Sequence, residues 1–391
     1  YNIALNYTDL AENAAEEYTT EFVIDKTIAS SDDVTIEYNE SIVDKILNAI
    51  TFGFYNGDVE VKVSVKDQTA GIEYFEITYT QVDGQNKSNK ATYTTEKLAA
   101  VQDENDKTLF TATHTITAEA RGKVSVELMD KAGNATDKAE EYVVVADTIV
   151  PGLEYAWEFK DNQVKEYNNI YYTQNDATVT FTITEANFDL SLIKATGPEG
   201  KEETVAPAPV LTVNGEAKDI TWLQTEGTDK WVGEYTLTGN GDYVVELTYT
   251  DRSTKDMETY TKEIHIDDVP PEIDVTYDNN EARNENNYKA DRTATVKITE
   301  HNFKADEVAL AVTAKDITGA DVDISSKGYE NYAKNSANWK YLAESGEYVD
   351  DATLAVNPDE HYLVLPTFNI DAIYNIALNY TDLAENAAEE Y

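Results

Sequence analysis

Along most of this chain, apolar and polar residues change places at every step. Val59, Val61, Val63 and Val65 alternate with Glu60, Lys62, Ser64 and Lys66, and Val124, Val126 and Leu128 alternate with Ser125 and Glu127. Successive side chains of an extended strand point to opposite faces, so a period of two predicts half-buried β-strands. Tyr243, Val245, Leu247 and Tyr249 repeat the pattern, as do Tyr374, Ile376, Leu378 and Tyr380. Each of the last three runs stops at an aspartate and a polar turn: Asp130 with KAGNA, Asp251 with RSTKD, Asp382 with LAENA. A second extended segment follows, EEYVVVAD, ETYTKEIHIDD or, near the N-terminus, EEYTTEFVID. The unit is a terminal β-hairpin written repeatedly. One stretch breaks the period: Ile42, Val43, Ile46, Leu47 and Ile50 fall on one face of a helix, with Ser41 and Asp44 placed like a capping box, so a short amphipathic helix is expected over Ser41–Ile50.

The segment YNIALNYTDLAENAAEEY opens the chain at Tyr1–Tyr18 and closes it, unchanged, at Tyr374–Tyr391. Identity over such a distance marks a tandem array, an architecture used for reach or multivalency and seldom for a single catalytic site. Within one period, aspartates stand directly after each hairpin, in Asp25-Lys26-Thr27, Asp147-Thr148-Ile149-Val150-Pro151 and Asp267-Asp268-Val269-Pro270-Pro271. Proline there removes a backbone donor and stiffens the connection, as expected at a short link between domains. The expected division is therefore 1–24 as the closing hairpin of a preceding repeat, then domains over 25–147, 148–267 and 268–391, the last without its final strand. TVTFTITEANF (Thr178–Phe188) also matches ATVKITEHNF (Ala294–Phe303), which makes the second and third domains close relatives and the first a divergent one.

Segments of about 120 residues, made of short antiparallel strands with frequent turns, point to immunoglobulin-like β-sandwiches, so the expected fold is all-β: an elongated tandem array with one helical insertion in its first domain. TVTFTITEANF, a later tryptophan (Trp222, Trp339), a strand leading to YTD, an AGN or AEN turn and then FVID together resemble the Ig-like repeats of large surface proteins of Gram-positive bacteria. The resemblance covers nearly the whole chain. It implies an extracellular, cell-attached protein, with any anchor outside this segment, acting as stalk and multivalent adhesive module. Its implied partners are neighbouring repeats and a host protein, immunoglobulin or glycan; the alternatives are an immunoglobulin-binding protein and a purely structural spacer or filament-former. Arg252-Ser253-Thr254 departs from the motif where AGN would stand.

Charge and composition narrow these classes. Asp and Glu number 75 against 30 Lys and Arg, for a net charge of -45 spread along the chain. Such a surface repels phosphate backbones, which argues against nucleic-acid binding. Cysteine is absent, which removes disulfides and thiolate chemistry, and no apolar run approaches the roughly 20 residues of a membrane span. The four histidines, His114, His265, His301 and His361, show no metal-ligand spacing, and no nucleophile elbow or phosphate-cradling loop is present, so no enzyme activity is expected.

Two candidate sites remain. Asp130, Asp147, Asp251, Asp267, Asp268 and Asp382 fall at turns and links that adjoin in space if domains stack end to end, and gathered carboxylates suit calcium. Asp147, Asp267 and Asp268 are the junction candidates, against the alternative that aspartate here only satisfies turn backbone groups. The aromatic stretch of the third domain, Tyr329, Tyr332 and Tyr341 around Trp339, reads as a binding platform, with Trp339 itself assigned to the core because Trp222 occupies the matching place. Tyr243 and Tyr374 open penultimate strands in the manner of a tyrosine corner.

Overall fold

The computed structural model describes residues 1–38, 54–81, 92–117, 120–139, 142–188, 193–196, 202–205, 208–343, 347–350 and 359–391. The helix expected over Ser41–Ile50 lies outside the described residues. Where the pattern of two is cleanest, the strands follow it: Val59–Lys66 buries its four valines and turns its polar residues outward, and Ala177–Thr184 buries Ala177, Val179, Phe181 and Ile183 in the same way.

Among the described residues the apolar faces close into three separate cores, each held between two sheets. In the first sandwich, Val59–Lys66 pairs with Thr35–Tyr38 and Leu109–Ile116, facing a sheet in which Ala120–Asp130 pairs with Tyr142–Ala146 and Ile72–Gln81. The second sets Ala177–Thr184, flanked by Gly152–Phe159 and Lys230–Leu237, against Tyr260–Ile266 and its partner Gly241–Thr248. The third sets Ala294–Thr299, flanked by Glu272–Tyr277 and Glu360–Val364, against the pair Ala309–Lys315 and Ile373–Asn379. These are tandem all-β, immunoglobulin-like sandwiches. No helix among the described residues is long and apolar enough to cross a membrane.

The recurrent sequence signals have recurrent structural jobs. Phe188 and Phe303, which end the matched TEANF and TEHNF segments, enter the cores, Phe188 stacking on Trp231 at 4.5 Å between ring centroids and Phe303 meeting Trp339 at 4.6 Å. Trp339 is fully buried and its indole Nε1 donates to Ala333 O at 2.7 Å, which satisfies its one polar group. The Tyr374 hydroxyl donates to Ile370 O at 2.9 Å, and that of Tyr243 lies 3.0 Å from Thr238 O and Gly239 O, so both tie a strand to the corner four or five residues before it.

Two edge pairings are parallel and prepare the junctions. Phe54–Tyr55 runs beside Val145–Ala146, and Ile170–Thr173 beside Glu263–Ile266. One residue later the ladder ends with Asp147 N donating to Tyr55 O at 2.8 Å and Asp267 N donating to Thr173 O at 2.9 Å. Both aspartates are thus pinned by the last rung of the sandwich they leave.

The duplicated eighteen residues experience opposite surroundings. Leu5 and Leu10 are exposed beside the two-stranded pair Asn2–Leu5 and Tyr18–Glu21, whereas their counterparts Leu378 and Leu383 are buried. Deleting a buried Leu side chain costs about 2–5 kcal/mol, and a change at an exposed position stays within about 0.5 kcal/mol. Chemical denaturation should therefore show Leu378→Ala strongly destabilising the third sandwich and Leu5→Ala, the same change in the same local sequence, leaving its midpoint in place.

Candidate metal centres at the junctions

Each junction brings together three carboxylates from three different places in the chain. The groups are Asp25, Asp67 and Asp130; Asp147, Glu185 and Asp251; and Asp267, Glu300 and Asp382, and within each group one oxygen per residue lies within 4.8 Å of the others. The first member comes from the link that leaves the preceding hairpin, the second from the end of an early strand, and the third from the turn of the penultimate strand. Asp147, Glu185 and Asp251 thus join the first sandwich to the second, and Asp267, Glu300 and Asp382 the second to the third.

Local hydrogen bonds aim these groups. Asp147 Oδ1 accepts from Ile149 N at 3.0 Å and Asp267 Oδ1 from Val269 N at 2.9 Å, so each link aspartate closes its own turn. Glu185 Oε1 accepts from Asn187 N at 2.6 Å and Glu300 Oε1 from Asn302 N at 2.8 Å. Asn187 Nδ2 then reaches across the junction to Asp147 Oδ2 at 2.7 Å, and Asn386 Nδ2 reaches Asp267 O at 2.8 Å. At the second junction further groups help: Lys165 Nζ pairs with Glu307 at 3.1 Å, His301 Nε2 lies 3.0 Å from Asp242 Oδ2, and Leu383 and Ala384 pack on Tyr172.

The hairpin aspartates differ in one respect. In Asp130 and Asp382, Oδ1 accepts from the backbone amide four residues on, and Oδ2 accepts from the side chain of that same residue, Asn134 at 2.7 Å or Asn386 at 2.8 Å. Asp251 has Lys255 at that place. Its Oδ1 still accepts from Lys255 N at 2.8 Å, but its Oδ2 is buried and has no hydrogen-bond donor.

At the two joints between sandwiches burial dominates the electrostatics. It pushes Glu185 and Glu300 each up to about 8 and Asp251 to about 6, against the pull of the amide bonds they accept and reinforced by the neighbouring carboxylates. Asp382 moves upward for the same reason. Three acids confined this closely favour either a shared proton or a cation. Their all-oxygen donor set suits a hard ion such as calcium, magnesium or manganese.

Of the junction candidates read from sequence, Asp147 and Asp267 lie in these groups. Asp268 stands outside them, exposed, with Oδ1 accepting from Asn240 Nδ2 at 2.5 Å. Only one of two adjacent link residues can face the following sandwich, and the last ladder rung selects Asp267. Asp25, Asp67, Glu185 and Glu300 escaped the sequence reading as ligands, although for the two glutamates the acid ahead of Asn-Phe was the visible signal. The aromatic platform is corrected by the structure: Tyr329 is buried and stacks on Phe368 at 5.3 Å, and Tyr332 packs against the same core, because the short helix Tyr329–Ala333 turns that face inward. Tyr341 lies half-buried on the strand Trp339–Leu342.

Fold and junctions together define a tandem immunoglobulin-like repeat whose links carry acidic clusters. No family model and no curated protein matches the chain. Solved structures to which it is similar include the tetra-tandem repeat in the extending region of a large adhesion protein, at 14% identity and TM-score 0.36, over 100% of this chain and 80% of that one. The fibronectin(III)-like modules of Clostridium thermocellum CbhA match at 12% identity and TM-score 0.22, over 55% of this chain and 87% of theirs. Dimeric latent PorU from Porphyromonas gingivalis matches at 13% identity and TM-score 0.19, over 83% of this chain but only 30% of that one.

The raised acids set a pH dependence in the absence of cations. Glu185 and Glu300 keep their protons in the folded chain up to about pH 8, whereas the unfolded chain releases them near the ordinary glutamate value of 4.5. The folded state binds more protons in that window, so stability is greatest below it and falls as pH rises toward 8. Thermal melts in chelator should show a lower melting temperature at pH 8 than at pH 5. The double change Glu185→Gln and Glu300→Gln should flatten that slope; an unchanged slope would show that other groups cause it.

Proposed function

We propose that this chain is a non-catalytic repeat unit of an extracellular bacterial surface protein, serving as an extended stalk whose tandem copies also present a binding surface for a host ligand. The observation that carries this reading is a single junction design used three times, in a chain whose closing hairpin sequence is duplicated at its start. Sandwiches that contact only their sequence neighbours gain stability as a sum of units and joints, which suits a linear array. The net charge of -45 keeps neighbouring chains apart and soluble.

The histidines support a structural assignment. His114 pairs with Glu96 at 2.7 Å, His301 bridges Asp359 and Asp242, His265 lies between Asn302 and Glu263, and His361 Nε2 meets Glu300 O at 2.9 Å. Each joins strands or sandwiches.

The binding half of the reading is supported by a groove of about 680 Å³ on the second sandwich, lined by Tyr155, Tyr171, Tyr260, Glu166, Asn169 and Lys262. Tyr155 offers an exposed ring at its rim, 4.4 Å from that of Tyr260. Aromatic faces beside hydrogen-bonding groups suit a sugar or the aromatic anchor of a protein partner. A binding screen of the whole chain against immunoglobulins, matrix proteins and mucin glycans should give a saturable signal with at least one, weakened at least tenfold by Tyr155→Ala. No signal with any ligand would contradict the adhesive role and favour a spacer.

A further inference from the structure

We propose that Asp147, Glu185 and Asp251 form a calcium site that fastens the link leaving the first sandwich to the sandwich that follows. The binding itself does not depend on the surface role proposed above; only its use in stiffening a stalk rests on that reading.

Two independent observations support the site. The first is the donor set. Three carboxylates offer oxygens that all lie within 4.8 Å of one another, a span that one ion can bridge when its ligands stand about 2.4 Å away. The donors are oxygens alone, which selects a hard cation over zinc or copper. They come from a link, a strand end and a hairpin turn, each pinned by its own hydrogen bonds. Donors fixed on three elements match the longer and more variable bonds of calcium better than the short, near-ideal octahedron that magnesium demands.

The second observation is the Oδ2 atom of Asp251. Asp251 is 4% exposed, and this oxygen makes no hydrogen bond, while the Ser253 side chain and amide lie near enough to the carboxylate to favour its ionised form. In the sibling turns the corresponding oxygens of Asp130 and Asp382 are occupied by Asn134 and Asn386. Lys255 supplies a backbone amide to Oδ1 and leaves Oδ2 bare. A buried carboxylate oxygen without a donor carries an uncompensated desolvation cost, and a divalent cation provides the missing opposite charge.

Such a cation would change the mechanics of the joint. Asp147 belongs to the ladder of the first sandwich through its amide bond to Tyr55 O, whereas Glu185 and Asp251 belong to the second. A shared ion therefore spans the hinge, and its loss removes the positive charge that ties the link to the second sandwich.

The test is equilibrium dialysis of the whole chain with calcium at about 1 mM, within the affinity range of extracellular calcium modules, comparing wild type with Asp251→Asn and, separately, Glu185→Gln. Each variant should bind one calcium fewer per chain than wild type while keeping a wild-type far-ultraviolet circular dichroism spectrum. In chelator, Asp251→Asn should melt no lower than wild type, because it removes a charge from the group, and Glu185→Gln should melt close to wild type, because its amide has the shape of the neutral acid. Equal calcium stoichiometry in wild type and both variants would overturn the proposal, as would a wild-type chain that binds none. Host-ligand binding is read by a different assay, so its failure would leave this stoichiometry unaffected.

Discussion

At the joints between the sandwiches of this chain, carboxylates are held together and most of them are buried. Like charges repel and burial disfavours ionisation, so such a grouping persists only because the backbone on three sides enforces it. The enforcement is local: a ladder rung fixes Asp147 or Asp267, an amide two residues on fixes Glu185 or Glu300, and a hairpin turn fixes Asp251 or Asp382. The acids report how well each sandwich is formed and, at the same time, tie it to its neighbour. Stability of a unit and geometry of a joint are consequently coupled through the same few side chains.

That coupling explains why the sandwiches are built alike yet differ in detail. The cores tolerate variation: the second relies on an aromatic group of Phe188, Trp222, Trp231 and Tyr249, and the third on Phe303, Trp339, His361 and Tyr380. The joints tolerate less, because an acid displaced by one residue faces solvent instead of its partners, as Asp268 does beside Asp267. The replacement of asparagine by Lys255 is the clearest departure, and it alters the donor supply to Asp251 while leaving the turn itself in place.

Much of the fold was legible in the alternation of apolar and polar residues, since a strand buried on one face must show it. Val59–Lys66 and Ala177–Thr184 are examples, and Trp339 could be placed in the core from its match with Trp222. The aromatic stretch was harder. Tyr329 and Ala333 are spaced four apart and share the buried face of a single helical turn, but the intervening polar residues mask so short a period. The carboxylate groups were half visible: the link and hairpin aspartates stand at repeated positions, whereas Glu185 and Glu300 sit inside a segment that reads as a strand signature. Their convergence depends on the register of edge pairings that no local pattern encodes. Burial of the duplicated hairpin is likewise a tertiary property, since Leu5 and Leu378 have the same neighbours in sequence and opposite exposures.

The central claim is that the junction carboxylates govern how rigidly successive sandwiches are joined. Small-angle X-ray scattering of the whole chain in calcium and in chelator tests it most directly. The account predicts a well-defined maximum dimension in calcium and a broader, more flexible profile in chelator, with Asp251→Asn showing the flexible profile in both. Superimposable scattering of the wild-type chain in the two buffers would contradict it.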